Sequence, residues 1–161
     1  MTDGRQMGLD FATPWIIVPD GNRTALAIYL RHYSCRRYRD ARKRVLFVGP
    51  GEKMVLLAIN GRALFVWRRF RSMRPELGVN CAVFRNEGAG RSSYLIRDAC
   101  GLAWRRWPGE RLYTYVDPAA VRSPNPGYCF RMAGWRRCGQ TPGGHGRRAL
   151  LVFERRVEAR T

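Results

Sequence analysis

Two glycines, two serines and two arginines crowd the stretch between Phe84 and Tyr94, in an order suited to holding a diphosphate. The apolar run Val79 to Phe84 predicts a short strand. It leads into a glycine-bearing loop, Arg85 to Arg91, and then to Ser92 and Ser93, which are candidate N-caps for a helix beginning near Tyr94. Amide groups at a helix start point outward unpaired, and the helix dipole adds partial positive charge there. Gly88 and Gly90 let the main chain approach a phosphate closely, and Arg85 and Arg91 add charge. The stretch reads as a pyrophosphate cradle; the plainer reading is a glycine-rich turn that binds nothing.

Proton transfer calls for other residues. His32 has the side chain whose ordinary pKa lies nearest neutrality, which suits a general base. Asp117 is the other candidate, at the C-terminal end of an expected strand, where α/β sites collect. The plainer readings are a surface histidine beside a basic run and an Asp-Pro turn cap.

The elements that must position these residues follow in chain order. Trp15 to Val18, within Phe11 to Val18, predicts a first strand or an anchor. Pro19-Asp20-Gly21 is a turn, with Asp20 or Asn22 capping a helix over Thr24 to Tyr33. Val45 to Val48 predicts a strand. Met54 to Ile59 and Arg62 to Phe70 flank Asn60-Gly61, the strongest short hairpin signal. In the central helix Leu95 or Ile96, Ala99, Leu102 or Ala103, and Trp107 form an apolar face, and Pro108-Gly109 stops it. Leu112 to Val116 is the next strand. Strand, helix and strand at this spacing imply a parallel crossover. A short helix within Asn125 to Trp135 and a closing strand pair, Arg136 to Gln140 with Ala149 to Arg155, complete the chain.

With 161 residues and 45% hydrophobic content, one folded domain spanning 1–161 is expected. Thirty basic residues against 12 acidic give a net charge of +18, and only Lys43 and Lys53 are lysines. Arginine forks onto phosphates and stacks on bases, so a polyanionic partner, DNA above all, is indicated. Three groups are candidate nucleic-acid contacts: the basic run Arg36, Arg37, Tyr38, Arg39, Arg42, Lys43 and Arg44; the strand end Trp67, Arg68 and Arg69; and the loop residues Arg147 and Arg148. A solvated charged face and an ordinary flexible hairpin loop are the bland alternatives. Five cysteines without a C-x-x-C pair give no zinc-ribbon pattern, and an odd count with no signal peptide points to reduced thiols in the cytoplasm. No apolar run approaches a membrane span, so no membrane partner is expected; the composition leaves the oligomeric state open.

Arg85-Asn86-Glu87-Gly88-Ala89-Gly90 resembles the Arg/Gln-x-x-Gly-x-Gly/Ala signature of the GCN5-related N-acetyltransferase superfamily. The order of elements resembles that fold over nearly the whole chain. The resemblance implies an α/β (α+β) class: a central, mostly antiparallel mixed sheet, a parallel unit of fourth strand, helix and fifth strand, and flanking helices. It also implies acetyl-CoA as donor, with Cys81, Ala82, Val83, Phe84, Arg85, Asn86, Gly88, Ala89, Gly90, Arg91, Ser92, Ser93 and Asn125 around it. Main-chain N–H groups near Cys81 to Phe84 would stabilise the oxyanion. Phe130-Arg131-Met132-Ala133-Gly134-Trp135 looks like the family's late helix, but its general-acid tyrosine position holds Phe130. Tyr128 is the substitute donor.

More narrowly, five strings resemble the phage Mom-like DNA-modification branch: His32-Tyr33-Ser34, Val48 to Lys53, Arg85 to Gly88 with Ser92-Ser93, Tyr115 to Pro118, and Asn125 to Tyr128. That resemblance implies acylation of a base in DNA, either an aminomethyl-type uracil or adenine, protecting DNA from restriction in the host cytoplasm. The adenine chemistry brings in a metal: His32, Tyr33 and Asp117 are an N,O set suited to iron, ranked below simple acylation. Tyr33 joins His32, Asp117 and Tyr128 as a candidate catalytic residue. A duplex base must leave its stack to be reached. The other readings are a non-catalytic basic module for RNA or DNA, and an acetyltransferase for a small amine or peptide.

Overall fold

The computed structural model describes residues 13–37, 45–70 and 77–159, with only the backbone of Arg36 and Arg37. Seven strands form one mixed sheet: β1 Trp15–Val18, β2 Glu52–Ala58, β3 Ala63–Arg69, β4 Val79–Asn86, β5 Leu112–Val116, β6 Arg136–Gln140 and β7 Leu151–Arg155. Their spatial order is β1-β2-β3-β4-β5-β7-β6. All pairings are antiparallel except β4 with β5, which the helix α2, Ser92–Arg106, connects. Helices α1, Arg23–Leu30, and α3, Tyr128–Met132, flank the sheet. This is the mixed, mostly antiparallel α+β arrangement with a parallel β4–α2–β5 unit that the sequence led us to expect.

Period-two alternation sorts the apolar residues between two cores. On one face Met54, Leu56, Phe65, Trp67, Val79, Cys81, Leu112 and Phe153 pack against the Leu95, Ile96, Ala99, Cys100 and Ala103 stripe of α2. On the other, Val55, Leu57, Leu64, Val66 and Val83 pack against Ala25, Ile28 and Tyr29 of α1. Two tryptophans fix α2 to the sheet: Trp15 Nε1 donates to Leu95 O and Trp67 Nε1 to Ala99 O, each at 2.9 Å. Those carbonyls lie one helical turn apart, so the indoles set both the height and the rotation of α2.

Two local expectations change. The helix expected over Thr24 to Tyr33 stops at Leu30, because Arg31 and His32 donate to carbonyls three residues back, Ile28 O and Tyr29 O. The chain tightens into a 3-10 turn, Tyr33–Arg37. Asn22, one of the two caps expected, accepts from Thr24 and Ala25 at 3.1 Å. Val45 to Val48 forms no strand, because the Phe47 and Val48 amides donate to the Asp20 carboxylate instead of a ladder. The Asn60-Gly61 hairpin forms as expected, with Gly61 at φ 73°.

Candidate active site

Asn86 closes β4 and shapes the loop after it. Its Oδ1 accepts from the Gly88 and Ala89 amides at 3.1 and 2.9 Å, and its Nδ2 donates to Gly90 O at 2.7 Å and Ser92 Oγ at 2.9 Å. Gly88 and Gly90 take φ of 110° and 135°, a region open to glycine and strained for other residues. A side chain on Gly90 would meet nothing within 4 Å, so the space over the loop is open. The helix cap differs from expectation. Arg91 is the N-cap, and Ser92 and Ser93 are the first helical residues. No side chain caps α2, because the N-cap position holds Arg91, whose guanidinium has no acceptor to offer. The leading amides of α2 therefore face outward without an intrahelical acceptor. An open glycine loop and an uncapped helix start suit a diphosphate such as that of acetyl-CoA.

The charge nearby is partly committed. Glu87 takes hydrogen bonds from Arg31 at 2.8 and 2.6 Å and from Arg85 at 2.7 Å. The Arg31 hydrogen bond first, and Arg85 with it, hold the Glu87 carboxyl down at about 2 against the opposing effect of burial. Arg85 thus braces Glu87. Arg91 is exposed, lying over the Tyr94 ring with 5.1 Å to its centroid.

Beyond the loop the sheet opens. The β4–β5 ladder runs only from Val79–Leu112 to Cys81–Thr114, although β4 continues to Asn86 and β5 to Val116. Against β3, the register skips Ala82 between Val66–Val83 and Trp67–Cys81, a bulge that turns β4 at the point of parting. Main-chain groups of Ala82 to Phe84 thus lie where β5 no longer pairs with them. Cys81 itself is buried, and burial pushes its thiol far up, so it is inert there.

On the α1 face a cleft of about 1950 Å³ lies over the parting strands. Asn80, Tyr113 and Tyr115 form part of its floor; Tyr33, Asp117, Arg68 and the segment Thr141–Arg148 wall it. Asp117 is buried at the end of β5. Its Oδ1 accepts the Ala119 amide at 3.0 Å, a turn cap, and its Oδ2 lies 3.5 Å from Arg148 Nη1. Tyr33 and Asp117 therefore line one cavity.

His32 differs. It is buried, and its Nδ1 takes the Ser34 amide at 3.2 Å and lies 2.7 Å from Ser34 Oγ. Burial first, then the Arg85 charge, lower its pKa to about 4 against the raising effect of a Phe84 main-chain hydrogen bond. The tuning near neutrality expected of His32 is lost: it stays neutral, tying the 3-10 turn to β4. It is not among the residues lining the cleft. His32, Tyr33 and Asp117 consequently do not present three converging donors. Among the described residues no group of three or more His, Cys, Asp or Glu is placed to hold a metal. With His32 outside the cleft that Tyr33 and Asp117 line, this donor set does not fit iron.

Phe130 is buried against Phe84 and Trp135, with ring centroids at 6.0 and 5.0 Å, and has no proton to donate. Tyr128 opens α3 and is exposed. Asn125 lies in the exposed turn before it, its carbonyl accepting the Tyr128 amide at 3.1 Å.

Of the nucleic-acid candidates, Trp67 is corrected outright: it is fully buried, stacked at 6.3 Å on Trp135, and cannot meet a base. Its position on the inward face of β3 decides this. Arg69 is paired with Glu110 at 2.9 Å and Glu52 at 3.7 Å. Arg68, Arg147 and Arg148 do line the cleft. Tyr38, Arg39, Arg42, Lys43 and Arg44 lie outside the described residues, as do the side chains of Arg36 and Arg37. The sequence reading missed Asn80, Tyr113, Tyr115 and Arg122 as cleft residues. The alternation of tyrosines at 113 and 115 was the one signal for a shared face.

No protein-family model matches the chain, and no curated protein matches it. Solved structures do. An aminoglycoside 6'-acetyltransferase type Ii superposes with a TM-score of 0.66 at 12% identity, over 91% of this chain and 99% of that one. An aminoglycoside 6'-N-acetyltransferase complexed with coenzyme A gives 0.66 at 10% identity, over 91% and 98%. At such identity the likeness speaks for architecture. The chain therefore has the fold of these acetyltransferases, the one that its Arg85–Gly90 signature implied.

Proposed function

We propose that this protein is an acetyl-CoA-dependent N-acetyltransferase whose acceptor is a base in DNA, of the Mom-like or hypermodified-uracil kind. The observation that carries the donor side is the open Gly88–Ser93 loop at an uncapped helix start, beside the point where β4 and β5 part. Bound acetyl-CoA would supply a thioester carbonyl for attack by an amine. The leading amides of α2 would hold the diphosphate, and main-chain N–H groups within Ala82 to Phe84 would stabilise the charge that develops on the carbonyl oxygen as the amine attacks and the C–S bond to CoA breaks. Asp117, reaching the cleft from the end of β5, takes the amine proton on a carboxylate oxygen; His32 braces β4. Tyr128 is the nearest hydroxyl in sequence to the family's acid position, which Phe130 leaves without a proton.

The acceptor side rests on charge and size. Arg68, Arg122, Arg147 and Arg148 line the cleft, against the single carboxylate of Asp117 among its described lining. A polyamine acceptor would need the opposite balance, which weighs against a small cationic amine. The volume exceeds the roughly 300–1,000 Å³ of ordinary small-molecule pockets, leaving room for a flipped nucleotide and its phosphates. The deciding experiment incubates the protein with labelled acetyl-CoA and either unmodified or aminomethyl-uracil DNA, then digests to nucleosides for mass spectrometry. Label in a nucleoside supports the reading; label on protein alone ends it. A non-catalytic basic module would instead bind DNA with a steep salt dependence and give no heat with CoA.

A further inference from the structure

We infer that Asn80 is a specificity-determining residue: its carboxamide reads the hydrogen-bonding edge of the acceptor base, selecting a planar heterocycle that carries an N–H beside a carbonyl or ring nitrogen. The inference rests on the cleft being the acceptor site for a nucleic-acid base.

Asn80 Oδ1 is buried and has no hydrogen-bond partner. A buried amide oxygen left unpaired costs about 1–3 kcal/mol, and folded proteins keep few of them without a use. This one belongs to a residue lining the cleft, on β4 just before the strands part. In register it lies opposite Arg68 of β3 and Tyr113 of β5. Residues directly opposite on neighbouring strands project from one face, and all three line the cavity. The cleft thus presents, in one row, a guanidinium, a carboxamide and an aromatic ring. Arg68 is steadied by its Nε bond to Pro50 O at 2.7 Å, and the Tyr113 ring meets Tyr115 edge-on at 5.8 Å.

That row offers a nucleotide an amide for the base edge and a cation for phosphate or carbonyl, beside the Tyr113 ring, over which the Arg111 guanidinium lies at 5.1 Å. An asparagine amide pairs two-pronged with an edge offering one donor and one acceptor, as adenine does with its amino group and ring nitrogen, or uracil with its imide. A half-turn about χ2 exchanges the oxygen and nitrogen ends, so the unpaired oxygen can be turned toward the cleft and satisfied by a base N–H. An aliphatic amine has no such paired edge, and against it the Asn80 oxygen would gain little.

The test measures binding and turnover separately. Single-stranded oligonucleotides carrying one uracil or one adenine are compared by fluorescence anisotropy with counterparts methylated at the donor, N3-methyluracil or N6,N6-dimethyladenine. Wild type is expected to prefer the unblocked member of at least one pair by about 10- to 100-fold, as one two-pronged contact provides. Asn80→Ala is expected to bring that ratio to within about threefold, while Asn80→Asp, which keeps an acceptor oxygen, retains at least about tenfold. Heat of CoA binding reports that each variant is folded, and if the alanine variant fails there the aspartate variant and wild type decide. A wild type blind to methylation, or an Asn80→Ala that keeps the wild-type ratio, overturns the inference. Discrimination without acetyl transfer leaves the Asn80 assignment standing and sinks the acetyltransferase reading instead.

Discussion

Asn86 Nδ2 donates to Ser92 Oγ across 2.9 Å, so the last residue of β4 is tied to the first residue of α2. The five-residue span between strand and helix is held in shape by a side chain. The loop's own amides at Gly88 and Ala89 close onto the same carboxamide. Those that remain for a ligand are at the start of α2.

Asn86→Ala removes all four of these bonds at once. CoA affinity is expected to fall about tenfold or more, because the loop must then be ordered at the moment of binding. Titration calorimetry with CoA, beside thermal unfolding of the free protein, separates this from general destabilisation. A variant that binds CoA like wild type would remove Asn86 from the site.

Gly127 offers a test of packing that leaves the loop untouched. It has φ 83°, and an added Cβ would lie 2.3 Å from the Phe153 ring. Gly127→Ala therefore combines backbone strain with a clash against a fully buried ring. A loss of about 3 kcal/mol or more is expected in urea unfolding. Gly90→Ala meets no atom within 4 Å, so its penalty is backbone strain alone, about 1–3 kcal/mol, and is expected to appear chiefly in CoA binding.

His32 makes stability depend on pH with a definite sign. Its pKa is lowered in the folded protein to about 4, below an unfolded value of 6.5. Between those values the unfolded chain binds the extra proton, so stability rises with pH through this window. The contribution is present in full above about 6.5 and is lost as pH falls toward 4. Its full size is about 3 kcal/mol. Urea unfolding from pH 4 to 7 for wild type and His32→Gln should show this component flattened in the variant. Parallel profiles would mean that His32 is not buried neutral.

Arg147 and Arg148 sit on the segment that walls the cleft, where Gly144 and Arg147 exchange main-chain bonds at 3.0 Å. Replacing both with glutamine is expected to weaken DNA binding and lower the slope of log affinity against log salt by about 1–2. Anisotropy across a salt series reads this directly. Because Arg148 also meets Asp117, Arg148→Gln alone should alter turnover of bound acceptor, whereas Arg147→Gln should act on affinity only.

Much of the fold was legible in the sequence, for local reasons. The Asn60-Gly61 turn needs positive φ, which Gly61 supplies at 73°, and it forced a hairpin between two apolar runs. The strand, glycine loop and helix around Gly88 were specified by residue type within a span of about thirty residues. Trp67 was not legible in this way. An aromatic at a basic strand end looks like a stacking platform until the sheet decides which face it occupies, and β3 turns it into the core against Trp135. The Val45 to Val48 run met every local rule for a strand, yet its amides bond the distant Asp20 carboxylate.

The sequence by itself determined the glycine loop ahead of α2 and the excess of positive charge, because both depend on neighbours along the chain and on composition. Only the tertiary structure decided the cleft. The cleft joins Tyr33, Asn80, Tyr113, Asp117 and Arg148 from segments far apart in the chain, through a sheet in which β7 inserts between β5 and β6. Only that packing decides that His32 is kept neutral by burial and that the oxygen of Asn80 is left without a partner, because desolvation and strand register belong to the folded chain as a whole.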